Sequence, residues 1–236
     1  MKYMGSKARI AKEIMGVILA PPHTCTVWVE PFAGGMNMID KVPSNIQRVA
    51  NDSNPYLIAM FKALQNGWIP PDNISREFYE QCKIGDCEDH VRGWVGFNCS
   101  YSGKYFGGYA GVTKTKDGIR DYQIEAKKNV MRQIQNLKNT IFTCGHYSDL
   151  KIPDNAVVYC DPPYSGTTKY FTDFDHEAFW MWVRTTSKYC KVYVSEYTAP
   201  HDFECIWRKE VKSSLSANGT SGGNKVSVEK LFILKE

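Results

Sequence analysis

Four consecutive residues, Asp161, Pro162, Pro163 and Tyr164, end the apolar run in AVVYCDPPYSG (156–166). A strand that only had to stop could do so with one Gly or Asn. Two prolines remove two N–H donors and fix the chain, leaving the neighbouring carbonyls as acceptors only. A carboxylate beside such a carbonyl is a rigid acceptor pair, suited to an NH2 group that must donate both hydrogens. The exocyclic amine of a nucleobase is a group of that kind. Its lone pair is delocalised into the ring, and gripping both hydrogens out of plane localises that pair in the transition state. Tyr164 would stack on the base, a contact worth roughly 1–3 kcal/mol. The competing reading is a stiff loop around a buried aromatic.

Two other strand ends carry polar or small residues. Glu30 precedes Pro31-Phe32-Ala33-Gly34-Gly35, whose glycines let backbone approach a ligand closely. The pattern is not GxGxxG, and a plain strand–helix turn reads it equally well. Asp52, inside Asn51-Asp52-Ser53-Asn54-Pro55, stands about twenty residues on, where α/β folds place an acid for ribose hydroxyls. An Asx turn or a helix N-cap also fits those residues.

These residues need elements to hold them. Residues 26–35, 48–55, 156–164 and 191–197 read as strands, and 203–212 with 225–236 as a closing antiparallel pair. The Ser/Gly-rich stretch 213–224 between that pair reads as a flexible loop. Helical periodicity occupies 6–19, 55–64, 175–189 and 119–138, the first helix beginning near Ser6. Interleaved strands and helices predict an α/β fold with a mostly parallel Rossmann-like sheet. Such sheets bind ligands at the carboxyl ends of their strands, so all three unusual endings should face one crevice. Strand signal nearly vanishes between Leu57 and Lys138, which predicts an inserted, mainly helical domain. The expected division is 1–56 and 139–236 for the main domain and 57–138 for the insertion.

Composition bounds the rest. The chain of 236 residues is 43% apolar, enough for a large core, and it lacks an apolar run of membrane-spanning length. Lys12 and Glu13 interrupt the first apolar segment, which therefore does not read as a signal peptide. Eight cysteines form no CxxC and no zinc spacing, so no metal is expected and a reduced cytoplasmic setting is the simplest account. Net charge is only +4, but residues 98–138 hold eight basic residues against three acids. Phosphate contacts and a solvated helix face both explain that excess.

With KYMGSK, VEPFAGGMN, NDSNP, FTCGHYSDL, VVYCDPPY and VEKLFIL in that order, the chain resembles the Dam-type DNA adenine methyltransferases. The resemblance spans nearly the whole chain. It implies S-adenosylmethionine as methyl donor, S-adenosylhomocysteine as product, and the N6 amine of a flipped adenine in double-stranded DNA as acceptor. It implies a methyltransferase sheet and a target-recognition role for 57–138. Asp161, Pro162, Pro163 and Tyr164 match the catalytic tetrad. Tyr3 and Lys7 match a segment over the donor's methionine end, Pro31 to Gly34 the loop beneath it, Asp52 the ribose acid, and His146 and Tyr147 the adenine border. Asp161 also lies near the methionine amine in that match, and Tyr170 or Phe171 is expected to close on the donor. Asn98, Tyr101, Lys104, Tyr105 and Tyr109 fall where the family places DNA contacts.

Met36 departs from the pattern Phe-x-Gly-x-Gly by replacing its last glycine, which predicts a different local turn. Three alternatives stay open: methylation of cytosine N4, an RNA substrate, and a catalytically silent DNA-binding protein. The resemblance also fits a bacterial or phage-borne enzyme, inside or outside a restriction system.

Overall fold

The computed structural model describes residues 1–116, 118–164, 174–212 and 226–235. Tyr170, Phe171 and the stretch 213–224 lie outside the described residues. In chain order the elements are α1 (Ala11–Ile18), β1 (Val27–Glu30), β2 (Gln47–Asp52), α2 (Pro55–Gln65), α3 (Arg76–Ile84) and α4 (Asp89–Asn98). Then follow β3 (Val112–Thr115), β4 (Gly118–Asp121), α5 (Tyr122–Asn136), β5 (Thr140–Cys144), β6 (Val157–Cys160), α6 (His176–Thr186), β7 (Lys191–Glu196), β8 (Phe203–Lys212) and β9 (Val226–Leu234).

One seven-stranded sheet runs in the order β5-β2-β1-β6-β7-β9-β8. The first five strands of that order are parallel, and β9 enters antiparallel between β7 and β8. The chain winds outward from β1 through β2 to β5, then returns to β6 on the other side of β1. The gap between β1 and β6 is therefore the point where strand order reverses, the place where open α/β sheets form a crevice.

Strand residues alternate between two cores, as a period of two requires. Trp28, Val157, Tyr159, Tyr193 and Leu231 pack with α1, α2, α4 and α5. Val29, Val158, Cys160, Val192, Val194 and Phe232 pack with α6. Both helices beside the crevice have clear start signals. Asn54 Oδ1 accepts from Leu57 N at 3.0 Å ahead of Pro55, and Asp175 Oδ1 accepts from Ala178 N at 2.9 Å.

Four expectations need correction. The first helix begins at Ala11, not near Ser6: Gly5 takes a φ of 80° and a turn from Lys7 to Ile10 precedes the helix. A strand absent from the sequence reading, β5, forms the far edge of the sheet. The helix read over 119–138 starts only at Tyr122, because Asp121 Oδ1 accepts from Gln123 N and Ile124 N at 3.0 and 3.1 Å. Residues 118–121 instead pair antiparallel with β3, so the stretch 57–138 contains a β-hairpin as well as helices. Finally, Met36 adopts the left-handed conformation itself, φ 57°, with its side chain fully buried. Backbone strain of about 1–3 kcal/mol is thereby set against burial of a large apolar side chain, typically worth about 1.5–3 kcal/mol.

The helices of 57–138 share a core with the sheet. Trp94, Val95 and Phe97 of α4 join the same cluster as Leu57, Met60 and Phe61 of α2. Gly93 makes that approach possible, since a Cβ there would stand 2.1 Å from the carbonyl oxygen of Tyr56.

Candidate active site

The ends of β1, β2 and β5 are fastened together by one amide. Asn51 Nδ2 donates to the Pro31 carbonyl at 3.1 Å and to the Gly145 carbonyl at 2.9 Å, while Thr143 Oγ1 donates to Asn51 Oδ1 at 2.9 Å. Asn51 is buried and was not singled out from the sequence. Beside it, Asp52 Oδ2 accepts from Gly34 N and Oδ1 from Asn54 N, both at 2.9 Å. The second contact is the Asx turn that the sequence allowed. An ionised carboxylate has about four acceptor sites, so two remain for a ligand. Burial raises the Asp52 carboxyl above its usual range, and the two backbone N–H groups partly offset that.

Phe32 packs against Tyr147 with ring centroids 5.1 Å apart, and both rings contact Phe179 of α6. His146 is exposed next to Tyr147, its Nδ1 2.7 Å from Ser148 Oγ. Tyr3 lies on the glycine loop: a Cβ at Gly34 or Gly35 would come within 2.8 or 2.6 Å of its side chain. The same ring stacks on Phe97 of α4 at 5.6 Å.

At the end of β6, four groups converge. Lys7 Nζ is 3.0 Å from Asp161 Oδ1 and 3.6 Å from Glu229 Oε2. It also lies 4.5 Å above the centre of the Tyr164 ring. The Tyr164 hydroxyl donates to Glu229 Oε2 at 3.0 Å, and its ring meets Tyr197 perpendicularly at 4.7 Å. Burial raises the Asp161 carboxyl, and Lys7 opposes that shift. Burial would lower the Lys7 ammonium, but Asp161 and Glu229 outweigh it and hold the group above its usual value. One ammonium between two carboxylates leaves the cluster with one unit of negative charge. Cys160 is a poor nucleophile here, since burial and then Asp161 push its thiol well up.

Every described residue expected around a cofactor thus stands at the carboxyl edge of the sheet or on the segment packed over it. Glu229 and Tyr197, like Asn51, were not singled out. Glu229 sits inside VEKLFIL, where nothing local distinguishes it from a surface acid.

The expected DNA-facing residues divide. Tyr101 and Lys104 are exposed. Asn98 is buried with Nδ2 3.3 Å from Met60 Sδ, Tyr105 stacks between Tyr56 and Phe97, and the Tyr109 hydroxyl donates to the Ile74 carbonyl at 2.7 Å. Among the described residues, Arg120 and Lys127 of the eight basic residues already have acidic partners. Arg120 holds Glu125 through two hydrogen bonds of 2.6 and 2.7 Å, and Lys127 reaches Asp72 at 2.5 Å.

A parallel sheet with a C-terminal antiparallel hairpin and a crevice at its reversal point defines an α/β fold of the methyltransferase kind. The chain belongs to the D12 class N6 adenine-specific DNA methyltransferase family, whose model matches residues 3–88 and 75–200. Comparison with curated proteins finds no match. Among solved structures, yhhF of Escherichia coli, described as a methyltransferase, is 11% identical over 95% of this chain and 84% of its own, with TM-score 0.39. Precorrin 8W decarboxylase of Methanobacterium thermoautotrophicum is 12% identical over 97% and 89%, with TM-score 0.40. A methyltransferase complexed with SAH is 13% identical over 98% and 53%, with TM-score 0.38. These are distant likenesses. Among the described residues no group of His, Cys, Asp and Glu is placed to hold a metal ion, and no helix is long and apolar enough to cross a membrane.

The residues present fit a sulfonium methyl donor. Asp52 keeps acceptor capacity for hydroxyls, the Phe32–Tyr147 pair offers an aromatic wall, and the cluster around Lys7 has the opposite sign to a sulfonium. Lys7 also gives the site a pH signature. If Asp161 accepts from an amine, the ionised carboxylate is the stronger acceptor, and burial raises its carboxyl, so kcat/KM should fall on acidification with a midpoint above the usual aspartate range of about 4. Lys7→Met removes the charge that favours the carboxylate, and the acid limb of the pH profile should move to higher pH. A limb that stays in place or moves down would show that Lys7 does not act on Asp161.

Proposed function

We propose that this chain moves a methyl group from S-adenosylmethionine to the N6 amine of an adenine flipped out of double-stranded DNA. The observation that carries the reading is the Asp161 carboxylate, fixed by two prolines at the reversal point of the sheet and flanked by Tyr164. S-adenosylmethionine supplies an electrophilic methyl carried on sulfur. Asp52 would orient the donor's ribose, Phe32 with His146 and Tyr147 would border its adenine, and Tyr3 and Lys7 would close over its methionine end. Asp161 and the Pro162 carbonyl would accept hydrogen bonds from the two amine hydrogens of the target base, raising electron density on N6 as the N–C bond forms and the methyl–sulfur bond breaks. One of those hydrogens would then leave as a proton. Tyr164 would stack on that base. Flipping costs a few kcal/mol and is needed because N6 is out of reach inside a duplex.

Residues 57–138 would read the DNA. Tyr101 and Lys104 are accessible for it, and so is the β3–β4 hairpin. Val112 and Ile119, 67% and 82% exposed, flank Lys114 on one face of that hairpin. Exposed apolar residues beside a basic one suit contact with unstacked bases and phosphates together. Asn98, Tyr105 and Tyr109 would act from beneath, by shaping the loop that carries Tyr101.

Purified protein given labelled donor and double-stranded DNA should yield N6-methyladenine on nucleoside analysis. N4-methylcytosine, preferential labelling of RNA, or tight DNA binding without transfer would each replace this reading with one of its rivals.

A further inference from the structure

Within the Asp-Pro-Pro-Tyr turn, Asp161 shares a side-chain hydrogen bond with Tyr164. The prolines restrain only the main chain, so the orientation of the ring depends on what its hydroxyl and faces meet. A ring that must stack on an arriving base works best when its orientation is set beforehand. A further restraint comes from the opposite end of the sequence. β9 lies between β7 and β8, and this register carries Glu229 to the crevice, where its side chain is 14% exposed. We propose that Glu229 is a positioning residue, its carboxylate accepting the Tyr164 hydroxyl and thereby setting the plane of the ring before the base arrives.

The hydroxyl contact is 3.0 Å, whereas Lys7 stands 3.6 Å from the same oxygen and closer, at 3.0 Å, to Asp161. Burial, followed by Asp161 and Glu229, holds the Tyr164 phenol well above its usual value, so it keeps the proton it donates. The next residue of β9 holds the main chain of the second tyrosine: Lys230 Nζ donates to the Tyr197 carbonyl at 2.8 Å. Two successive residues of one strand thus reach both tyrosines of the perpendicular pair, Glu229 at the Tyr164 hydroxyl and Lys230 at the Tyr197 main chain.

The kinetic part of this inference rests on the proposed function, and the test separates the two. Glu229→Ala should lower kcat/KM for double-stranded DNA about tenfold, and Glu229→Gln, which still offers an oxygen acceptor, should recover most of the loss. In a Tyr164→Phe background, Glu229→Ala should cost several-fold less than in the wild type, because the hydroxyl it acts through is gone while its contact with Lys7 is lost in both. In parallel, protein labelled with 13C at the tyrosine Cζ gives a Tyr164 signal, assigned by its disappearance in Tyr164→Phe. That signal should shift in Glu229→Ala and lie near the wild-type position in Glu229→Gln. An equal loss in both backgrounds, or a Tyr164 signal indifferent to Glu229→Ala, would overturn the proposal. If the wild type transfers no methyl to DNA, the proposed function falls, while the resonance still decides whether Glu229 holds Tyr164.

Discussion

Asp161→Asn is expected to lower the single-turnover rate of methyl transfer by about a thousandfold or more, while the donor's dissociation constant changes less than about tenfold. An asparagine turned toward the amine presents either a donor that repels it or a neutral oxygen that pulls less. Loss of a single preorganised hydrogen-bonding group aimed at developing charge costs about 10²–10³ in rate, and here a full negative charge is lost as well. On the proposed reading most donor contacts would lie elsewhere, at Asp52, Phe32 and Tyr147, so the ground state should notice the change far less. The substitution also releases Lys7, which keeps Glu229 as a partner, so the fold should survive. Rapid-quench kinetics on duplex DNA with calorimetry of donor binding would measure both quantities. A transfer rate within tenfold of wild type would remove Asp161 from the chemistry.

The second large effect is expected at Asp52. Asp52→Ala strips the acceptor from Gly34 N and Asn54 N together. Donors left unmatched cost about 1–3 kcal/mol each, so unfolding free energy should fall by about 2–6 kcal/mol, toward the low end because both contacts are only part-buried. The glycine loop would also lose its tie to β2, and the donor its ribose acceptor. Donor affinity should therefore weaken by about a hundredfold. Asp52→Asn retains one acceptor oxygen and should fall between wild type and alanine in both measurements. Denaturant titration reports the first, calorimetry the second. A folded Asp52→Ala protein that binds donor normally would confine Asp52 to its turn.

What could be read from the sequence was whatever the chain writes locally. Asp161 to Tyr164, Asp52 and Pro31 to Gly34 announce themselves because each follows a strand at once, and strand ends of a parallel sheet share one edge. Glu229, Lys230 and Tyr197 did not, because their placement depends on β9 pairing with β7 some thirty residues earlier in the chain. Asn51 was hidden by the more conspicuous Asp52 beside it, though a buried amide at a strand end has to find partners. The β3–β4 hairpin did leave a trace: Asp117-Gly118 is a turn signal, and Gly118 takes a φ of 115°. The strong helical period that follows absorbed it. Asn98, Tyr105 and Tyr109 show why composition is ambiguous. Aromatics among glycines suit a wedge for nucleic acid, and they equally suit packing against a helix thinned by Gly93 and Gly96. A Cβ at Gly96 would stand 2.3 Å from the Tyr105 ring.

The unequal trio of Lys7, Asp161 and Glu229 bears on how a cycle ends as well as how it begins. On the proposed chemistry, a fresh donor arrives carrying one more positive charge than the spent molecule that leaves. A pocket with a standing surplus of one electron charge grips the first and loosens on the second. The groups that prepare the methyl transfer therefore also help the enzyme clear itself for the next round.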